Sequence, residues 1–357
     1  MMVNDKKIAM KLIIKKFIQE VLEEEYLKAY SFHKKDYWKR KLNKEFDYEL
    51  LTGVKKGDID KAIEIFKKNV DNVNLETSSY CNRKCDYCPV STYGRNFKSL
   101  MNQKLFENII ISLKKINYSR SVCLNLYNEP LADKNFGLYL KFIRKNLPMS
   151  VIQTNSNGDY IKKIYDLYKL EECGLNKIKI TLHMPKNKKY SQDYLRLSLK
   201  KFAKRIGFQL DQKHISRLGF RFKINKLFAI VQCPDWMNEG SYRGGSINIS
   251  KIYKKRTSPC VRPFREFTIY YNGKVTPCCD IFNSDNYNEH IIESVDMNDL
   301  DSIFKIYANN NLSQWRKHTF DWSSKDGPCA SCSVFDLSQQ NDLKKREKIL
   351  NNITKNM

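Results

Sequence analysis

Cys81, Cys85 and Cys88 stand in the run Ser79-Tyr80-Cys81-Asn82-Arg83-Lys84-Cys85-Asp86-Tyr87-Cys88-Pro89. Three thiolates at this C-x3-C-x2-C spacing can hold three irons of a four-iron cluster and leave the fourth iron open. Iron–sulfur clusters normally take four thiolates, and structural zinc wants four closed ligands, usually from C-x2-C pairs. An open iron is a place for a substrate or cosubstrate to bind, so the spacing points to an enzyme. A zinc knuckle that borrows a distant fourth ligand is the alternative.

A second group of thiols lies in the C-terminal third. Cys260 is followed by Gly273 and Cys278, and later by the C-x2-C pair Cys329 and Cys332. Four thiolates close a site. Glu266 to Tyr271 alternates and is rich in aromatic and β-branched residues, and Asn272-Gly273 is a strong two-residue turn signal. The returning strand, Lys274 to Pro277, carries Cys278 back toward Cys260. Cys279 stands beside it, and adjacent side chains of a strand point to opposite faces, so one of the pair is the ligand and Cys278 is the better choice. A closed zinc site on Cys260, Cys278, Cys329 and Cys332 is the alternative reading of this set.

The first motif resembles the signature of the radical S-adenosylmethionine (SAM) superfamily, whose pattern also carries an aromatic residue before the third cysteine, where Tyr87 stands. The resemblance implies a cluster whose open iron chelates SAM, reductive cleavage to a 5′-deoxyadenosyl radical, and hydrogen abstraction from a C–H bond. It extends to Ser121–Pro130, which reads as a buried strand ending in Tyr127-Asn128-Glu129-Pro130, similar to the family's Gly-Gly-Glu-Pro turn. Glu129 would accept from the SAM ammonium, while Tyr127 and Asn128 replace the two glycines. Thr181 and Arg196 resemble the family's SAM-binding pair at and after the fourth strand, and Thr154, Asn155 and Gly158 its Thr-Asn-Gly turn. The second group resembles the start of a SPASM domain. No cysteine follows Cys332, so the resemblance implies the shortened twitch form, with one auxiliary four-iron cluster.

The elements that must position these residues alternate. Strands are expected at Val73–Thr77, Val122–Tyr127, Val151–Thr154 and Ile178–His183, with helices near Gln103–Ile116, Phe136–Asn146 and Tyr160–Glu172. Such alternation implies parallel βαβ units. The expected fold class is α/β: a partial (β/α)6 radical SAM barrel over residues 71–245, preceded by a helical extension at 1–70. A small α+β twitch/SPASM-like domain at 246–340 and a basic tail at 341–357 would follow. Barrel chemistry sits at the carboxyl ends of the strands, where Cys81, Glu129, Thr154, Asn155 and Thr181 fall. In the extension, Ile14, Phe17, Ile18, Val21 and Leu22 form an apolar stripe at helical spacing, as does Ile59–Lys68 behind the N-cap candidate Asp58. Asn238–Gly245 reads as a connecting loop near the site, with Arg243 a candidate substrate contact. A helix is expected near Leu300–Lys317.

At 357 residues and 41% apolar content the chain can bury a large core. Seven of its eleven cysteines fall in the two motifs; Cys123, Cys173, Cys233 and Cys279 are scattered. A reducing compartment is expected in preference to a disulfide scaffold, no apolar run is long enough to span a membrane, and a cytoplasmic location is expected. The net charge of +25 suits an acidic partner, such as a phosphorylated substrate or an acidic leader peptide, or else is a solvated lysine-rich surface. No nucleic-acid motif stands out.

The resemblance therefore implies two four-iron clusters, SAM, and a flavodoxin- or ferredoxin-type electron donor. Oxidation of a carbohydrate or other alcohol, with the auxiliary cluster as electron acceptor, is the expected reaction. The alternative is maturation of a ribosomal peptide by epimerisation or by thioether or carbon–carbon crosslinking. Epimerisation needs a hydrogen donor, for which Cys233 is the candidate, although a free cysteine is more often a buried small hydrophobe.

Overall fold

The computed structural model describes residues 47, 49–95, 98–184, 190–210, 219–247, 255–284, 286–334 and 336. The stripe at Ile14–Leu22 and the tail at 341–357 lie outside the described residues. The strands are β1 (Asn72–Leu75), β2 (Ser121–Cys123), β3 (Val151–Ser156), β4 (Lys177–Thr181), β5 (Gly219–Ile224), β6 (Leu227–Gln232), β7 (Glu266–Ile269), β8 (Lys274–Thr276) and β9 (Glu293–Ser294). They form one sheet in the order β5-β6-β4-β3-β2-β1-β7-β8-β9.

Six of these strands, β7-β1-β2-β3-β4-β6, run parallel. The helices are α1 (Ile59–Asn69), α2 (Gln103–Lys115), α3 (Phe136–Asn146), α4 (Ile164–Glu172) and α5 (Gln192–Ile206), and α1, α2 and α5 start at a side-chain cap. Asp58 accepts from Lys61 N at 3.1 Å, Asn102 from Leu105 N at 3.2 Å, and Ser191 from Tyr194 N at 3.1 Å. The expected alternation is therefore present, and the sheet is an open, partial barrel. Its far edge differs from a plain βα repeat, because β5 returns antiparallel to β6 through a hairpin with Asn225 at φ 46°.

The alternation within strands sorts the two faces. Val73, Val122, Ile152 and Ile178 are fully buried in the apolar core, while the intervening positions Asn74, Cys123, Gln153 and Lys177 line up in register on the opposite, polar face.

The sixth parallel strand comes from the C-terminal region: β7 pairs with β1 through Asn72↔Glu266 and Leu75↔Ile269. The expected hairpin is β7–β8, with Gly273 at φ 80° in its turn. Phe66 of α1 meets Phe267 edge-on at 5.6 Å, and Phe304 and Tyr307 of α6 (Ser302–Tyr307) at 5.1 and 5.2 Å. The C-terminal region thus shares both sheet and core with the barrel, and α1 docks its apolar stripe on its own protein. The helix expected at Leu300–Lys317 is two, α6 and α7 (Asn310–Thr319), because Asn309 turns extended and caps Leu312 N at 2.9 Å.

Candidate active site

The first cysteine loop leaves β1 through Glu76, Thr77, Ser78 and Ser79, all buried. Arg95, beyond the last cysteine, returns to Glu76 at 2.8 Å and also donates to Ser79 O at 3.3 Å and to Asn283 O at 2.9 Å. Its guanidinium faces the rings of Tyr271 and Phe282 at 5.3 and 5.1 Å. Burial pushes the Glu76 carboxyl up and the Arg95 charge opposes it. The loop is thereby closed at its base and fastened to the C-terminal region.

Cys81, Cys85 and Cys88 are partly exposed free thiols within this loop. Burial pushes the Cys81 thiol up to about 12 and the Cys85 thiol up to about 11, with the charge of Cys88 adding to both and that of Cys85 to Cys81. Thiols that resist ionising alone and crowd one another fit a metal whose positive charge neutralises them.

Side chains in the same loop tie it to β3 and β4. Arg83 grips Asp159 through two bonds, at 2.7 and 2.5 Å, and donates to His183 O at 3.3 Å. Asn82 donates to Asp159 at 2.8 Å and accepts from Asn157 at 2.7 Å. The Tyr87 hydroxyl meets His183 Nδ1 at 2.7 Å, their rings stacked 5.9 Å apart. Burial first, then the Arg83 charge, lowers His183 to about 4, so its imidazole is neutral beside the Tyr87 hydroxyl.

The sequence-selected SAM contacts divide into two groups. Glu129 is 2% exposed and lies close enough to Cys81 for its charge to matter there. It accepts from Leu131 N at 3.1 Å, Ser156 Oγ at 2.7 Å and Asn157 N at 2.6 Å. A carboxylate has about four acceptor positions, so one remains. Pro130 opens the short 3-10 turn that Glu129 caps. Asn155 donates to Asn125 Oδ1 at 2.7 Å, and the Thr181 hydroxyl accepts from Gln232 at 3.1 Å; both stand at the carboxyl ends of their strands. Thr154 is turned away, donating to Leu124 O at 2.9 Å.

The other residues point elsewhere. Tyr127 is buried against Tyr270 and Phe282, and its hydroxyl donates to Asp280 O at 3.1 Å. Asn128 folds back on Leu126 N at 3.1 Å, which ends β2 short of the expected Tyr127. Neither takes a positive φ, so the turn does without the two glycines. Arg196 is exposed on α5 beside Leu197. Cys233, the candidate hydrogen donor, is 0% exposed inside the apolar core, and burial pushes its thiol up to about 11. The structure thus gives this thiol the surroundings of a buried small hydrophobe.

The second group converges. Cys260, Cys278, Cys329 and Cys332 line one cavity together with Asp280 and Arg256. Cys279 is not among the lining residues; its sulfur instead accepts from Arg262 at 2.9 Å and lies 3.5 Å from Glu266. The returning strand ends at Thr276, so the two cysteines part in the turn beyond it and not by strand alternation. Arg256, 2% exposed, braces the cavity by donating to Cys332 O at 3.2 Å and Pro259 O at 2.8 Å. Among the described residues no three His, Cys, Asp or Glu side chains close on a single metal ion. The fit of these thiols to a cluster lies in their number, type and shared cavity.

Between the two cysteine sets lie Arg243, Trp236 and Asp280, of which the sequence singled out only Arg243. Arg243, which the loop reading had noted, pairs with Asp280 at 2.9 Å and faces Tyr127 at 5.8 Å and Trp236 at 5.7 Å. Trp236 in turn lies 6.4 Å from Tyr87. Burial would push the Asp280 carboxyl up, but the Arg262 and Arg243 charges outweigh it and lower it from its ordinary value. Asp280 stands next to Cys279 and two residues past Cys278, a local hint since chain neighbours share surroundings; His183 closes the strand expected at Ile178–His183, and nothing local marked Asp159.

Comparison with known proteins agrees with this geometry. Residues 75–209 match the radical SAM superfamily and residues 260–333 match SPASM, described as an iron–sulfur cluster-binding domain. The S-adenosyl-L-methionine-dependent 2-deoxy-scyllo-inosamine dehydrogenase of Niallia circulans is 24% identical over 262 residues, 73% of this chain and 92% of that protein. The GTP 3′,8-cyclase of Nautilia profundicola is 23% identical over 167 residues, 46% of this chain and 49% of its own length. The crystal structure of BtrN in complex with AdoMet and 2-DOIA superposes with a TM-score of 0.54 at 20% identity, covering 75% of this chain and 95% of that one.

Proposed function

This chain belongs to the radical SAM superfamily and carries a C-terminal SPASM iron–sulfur domain, and from that premise we propose that it oxidises a carbohydrate or other alcohol at carbon. The observation that carries the reading is the closed set of four cysteines around one cavity, joined to the first cysteine loop through Asp280, Arg243 and Trp236. A four-iron group with every iron held by cysteine has no site for substrate and suits electron transfer. The relative with a dehydrogenase's name matches over 262 residues, 73% of this chain.

When bound, SAM and the two clusters supply a 5′-deoxyadenosyl radical and an electron acceptor. Cys81, Cys85 and Cys88 would hold the SAM-binding cluster; Cys260, Cys278, Cys329 and Cys332 would hold the auxiliary one. Converting an alcohol to a carbonyl removes one hydrogen atom from carbon, one proton from oxygen and one electron. Glu129, with its remaining acceptor position beside Cys81, would receive the SAM ammonium, and Asn155, Thr181 and His183 surround the same strand ends. Arg243 is the candidate substrate contact, since it stands between the two cysteine sets with its charge fixed by Asp280. The burial of Cys233 counts against epimerisation, the form of peptide maturation that needs a thiol donor.

Eleven free thiols suit a reducing, cytoplasmic setting, and among the described residues no helix is long and apolar enough to cross a membrane. A flavodoxin or ferredoxin, acidic by nature, is the electron donor that a surface of net charge +25 would attract.

The test is anaerobic incubation of the reconstituted enzyme with SAM, a reductant and pools of sugars and peptides, followed by mass spectrometry. Deoxyadenosine together with a sugar-pool species two hydrogens lighter is the expected result. A modified peptide instead would transfer the assignment to maturation, and no deoxyadenosine from an enzyme with intact clusters would end the reading.

A further inference from the structure

Arg256 engages, with main chain and side chain alike, the segments that carry three of the four auxiliary cysteines. Its backbone N–H donates to Ala330 O at 2.7 Å, between Cys329 and Cys332, and its carbonyl accepts from Lys325 N at 3.0 Å. Its guanidinium donates through Nε to Ser258 O at 3.0 Å and through one terminal nitrogen to Pro259 O at 2.8 Å, just ahead of Cys260. The other terminal nitrogen donates to Cys332 O at 3.2 Å and Val334 O at 2.7 Å. One planar fork thus clasps the chain before Cys260 to the chain at and beyond Cys332, although Arg256 and Cys332 are 76 positions apart. Cys278 is held separately, its carbonyl accepting from Thr276 Oγ1 at 3.0 Å.

The partners of this side chain differ from those of the other cations on the cavity wall. Lys325 Nζ meets Asp321 at 2.7 Å, and Arg262 reaches Asp280 at 3.6 Å. The Arg256 guanidinium, buried like that of a core residue, donates only to main-chain carbonyls. Dipoles hold a cation in place without cancelling its charge, and a buried charge acts on its neighbours through a low effective dielectric. Burial opposes this charge, while Cys260, Cys332, Asp336 and Cys329 favour it; Asp336 itself accepts from Ser258 Oγ at 2.7 Å. A four-iron group held by four thiolates is an anion whose charge grows on reduction, and local charge and hydrogen bonding set its potential. A fixed cation on the wall of its site therefore favours the reduced form.

We propose that Arg256 is the positioning residue of the auxiliary site: its fork gathers Cys260 with Cys329 and Cys332, and its charge eases reduction of the four-iron group those cysteines would hold. The use of that ease in accepting an electron from substrate rests on the oxidase reading; the clasp and the charge do not. Lysine keeps the charge but lacks the planar fork, so it separates the two contributions.

Arg256→Gln and Arg256→Lys in the full chain, reconstituted anaerobically, test this. Second-site iron is followed by Mössbauer spectroscopy during a chelator challenge, with iron at the first cysteine set as the reference for folding. The potential is titrated by electron paramagnetic resonance with Cys81, Cys85 and Cys88 replaced by alanine, so that only the auxiliary cluster responds. With first-site iron retained, Arg256→Gln should lose second-site iron at least tenfold faster than wild type. Its auxiliary cluster should be at least tenfold harder to reduce, a potential lower by about 59 mV for one electron. Arg256→Lys should lose iron as readily while keeping a potential close to wild type. If Arg256→Gln takes up no second-site iron, iron in Arg256→Lys supports the proposal, and none in either confines Arg256 to the clasp and overturns its electrostatic half. Wild-type retention and potential in Arg256→Gln overturn the whole, as does joint loss of iron at both cysteine sets, which would make Arg256 a residue of the fold. The expected shifts without a carbonyl product from any sugar in the wild-type enzyme would support the role of Arg256 and reject the oxidase reading.

Discussion

Arg95 and Glu76 meet at 2.8 Å with side chains 3% and 0% exposed, one on each side of the loop that carries Cys81, Cys85 and Cys88. Glu76 also accepts from Tyr127 N at 2.9 Å, so the pair fixes the loop to β1, to the turn before Glu129 and, through Asn283, to the auxiliary region. Removing one partner of a buried pair strands the other charge and costs about 3–5 kcal/mol. Arg95→Met should therefore lower the melting temperature and reduce iron at the first site while leaving iron at the second. Full iron loading in Arg95→Met would show that the loop closes without it.

The two adjacent cysteines should behave differently. Cys278 lines the auxiliary cavity and Cys279 does not. Two four-iron sites give about eight irons per chain, so Cys279→Ala should retain about eight and Cys278→Ala should fall toward four. Iron and sulfide analysis with Mössbauer spectroscopy decides, and the reverse pattern would reassign the ligand.

Most of the site's framework was legible because its signals are local. Cysteine spacing, the Asn272-Gly273 turn and the capped, periodic helices are set by neighbours in the chain, and α3 occupies the expected Phe136–Asn146. What was not legible depends on contacts across the sheet. Asp159 is 76 residues from Arg83, and His183 is 96 from Tyr87; no spacing rule joins them. Tyr127 reads like a SAM contact from its place before Glu129, yet Tyr270 and Phe282, over 140 positions away, supply a better apolar partner for its ring. Cys233 follows a strand end, as a site residue would, and only the packed core reveals that it faces inward.

His183 gives a pH prediction with a definite sign. Its folded pKa is lowered to about 4, below the ordinary value of about 6.5. Its contribution to stability is therefore fully present above about pH 6.5 and is lost as pH falls toward 4, because the unfolded chain takes up the proton first. Urea unfolding at a series of pH values should show a shallower acid loss in His183→Gln than in wild type across this window. Parallel curves for the two proteins would mean that the imidazole is not held neutral by its surroundings.

Gly158 is the turn residue on which the Glu129 arrangement depends. It takes φ 75°, and a Cβ there would fall 2.7 Å from Ile180 Cγ2 and 3.3 Å from a ring carbon of Phe202. Both neighbours are buried core residues, so neither has room to yield, and the positive φ adds strain for any side chain. Gly158→Ala should cost about 1–3 kcal/mol. Because Asn157 N donates to Glu129 at 2.6 Å and Gly158 N to Ser156 Oγ at 3.0 Å, the shift should also reach SAM affinity. Ser156→Ala removes one of Glu129's hydrogen bonds and the acceptor of Gly158 N but introduces no clash at the positive-φ position, and provides the comparison. Weaker SAM binding in Gly158→Ala than in Ser156→Ala would place control of Glu129 in the backbone of the turn. The opposite order would assign it to the serine hydroxyl.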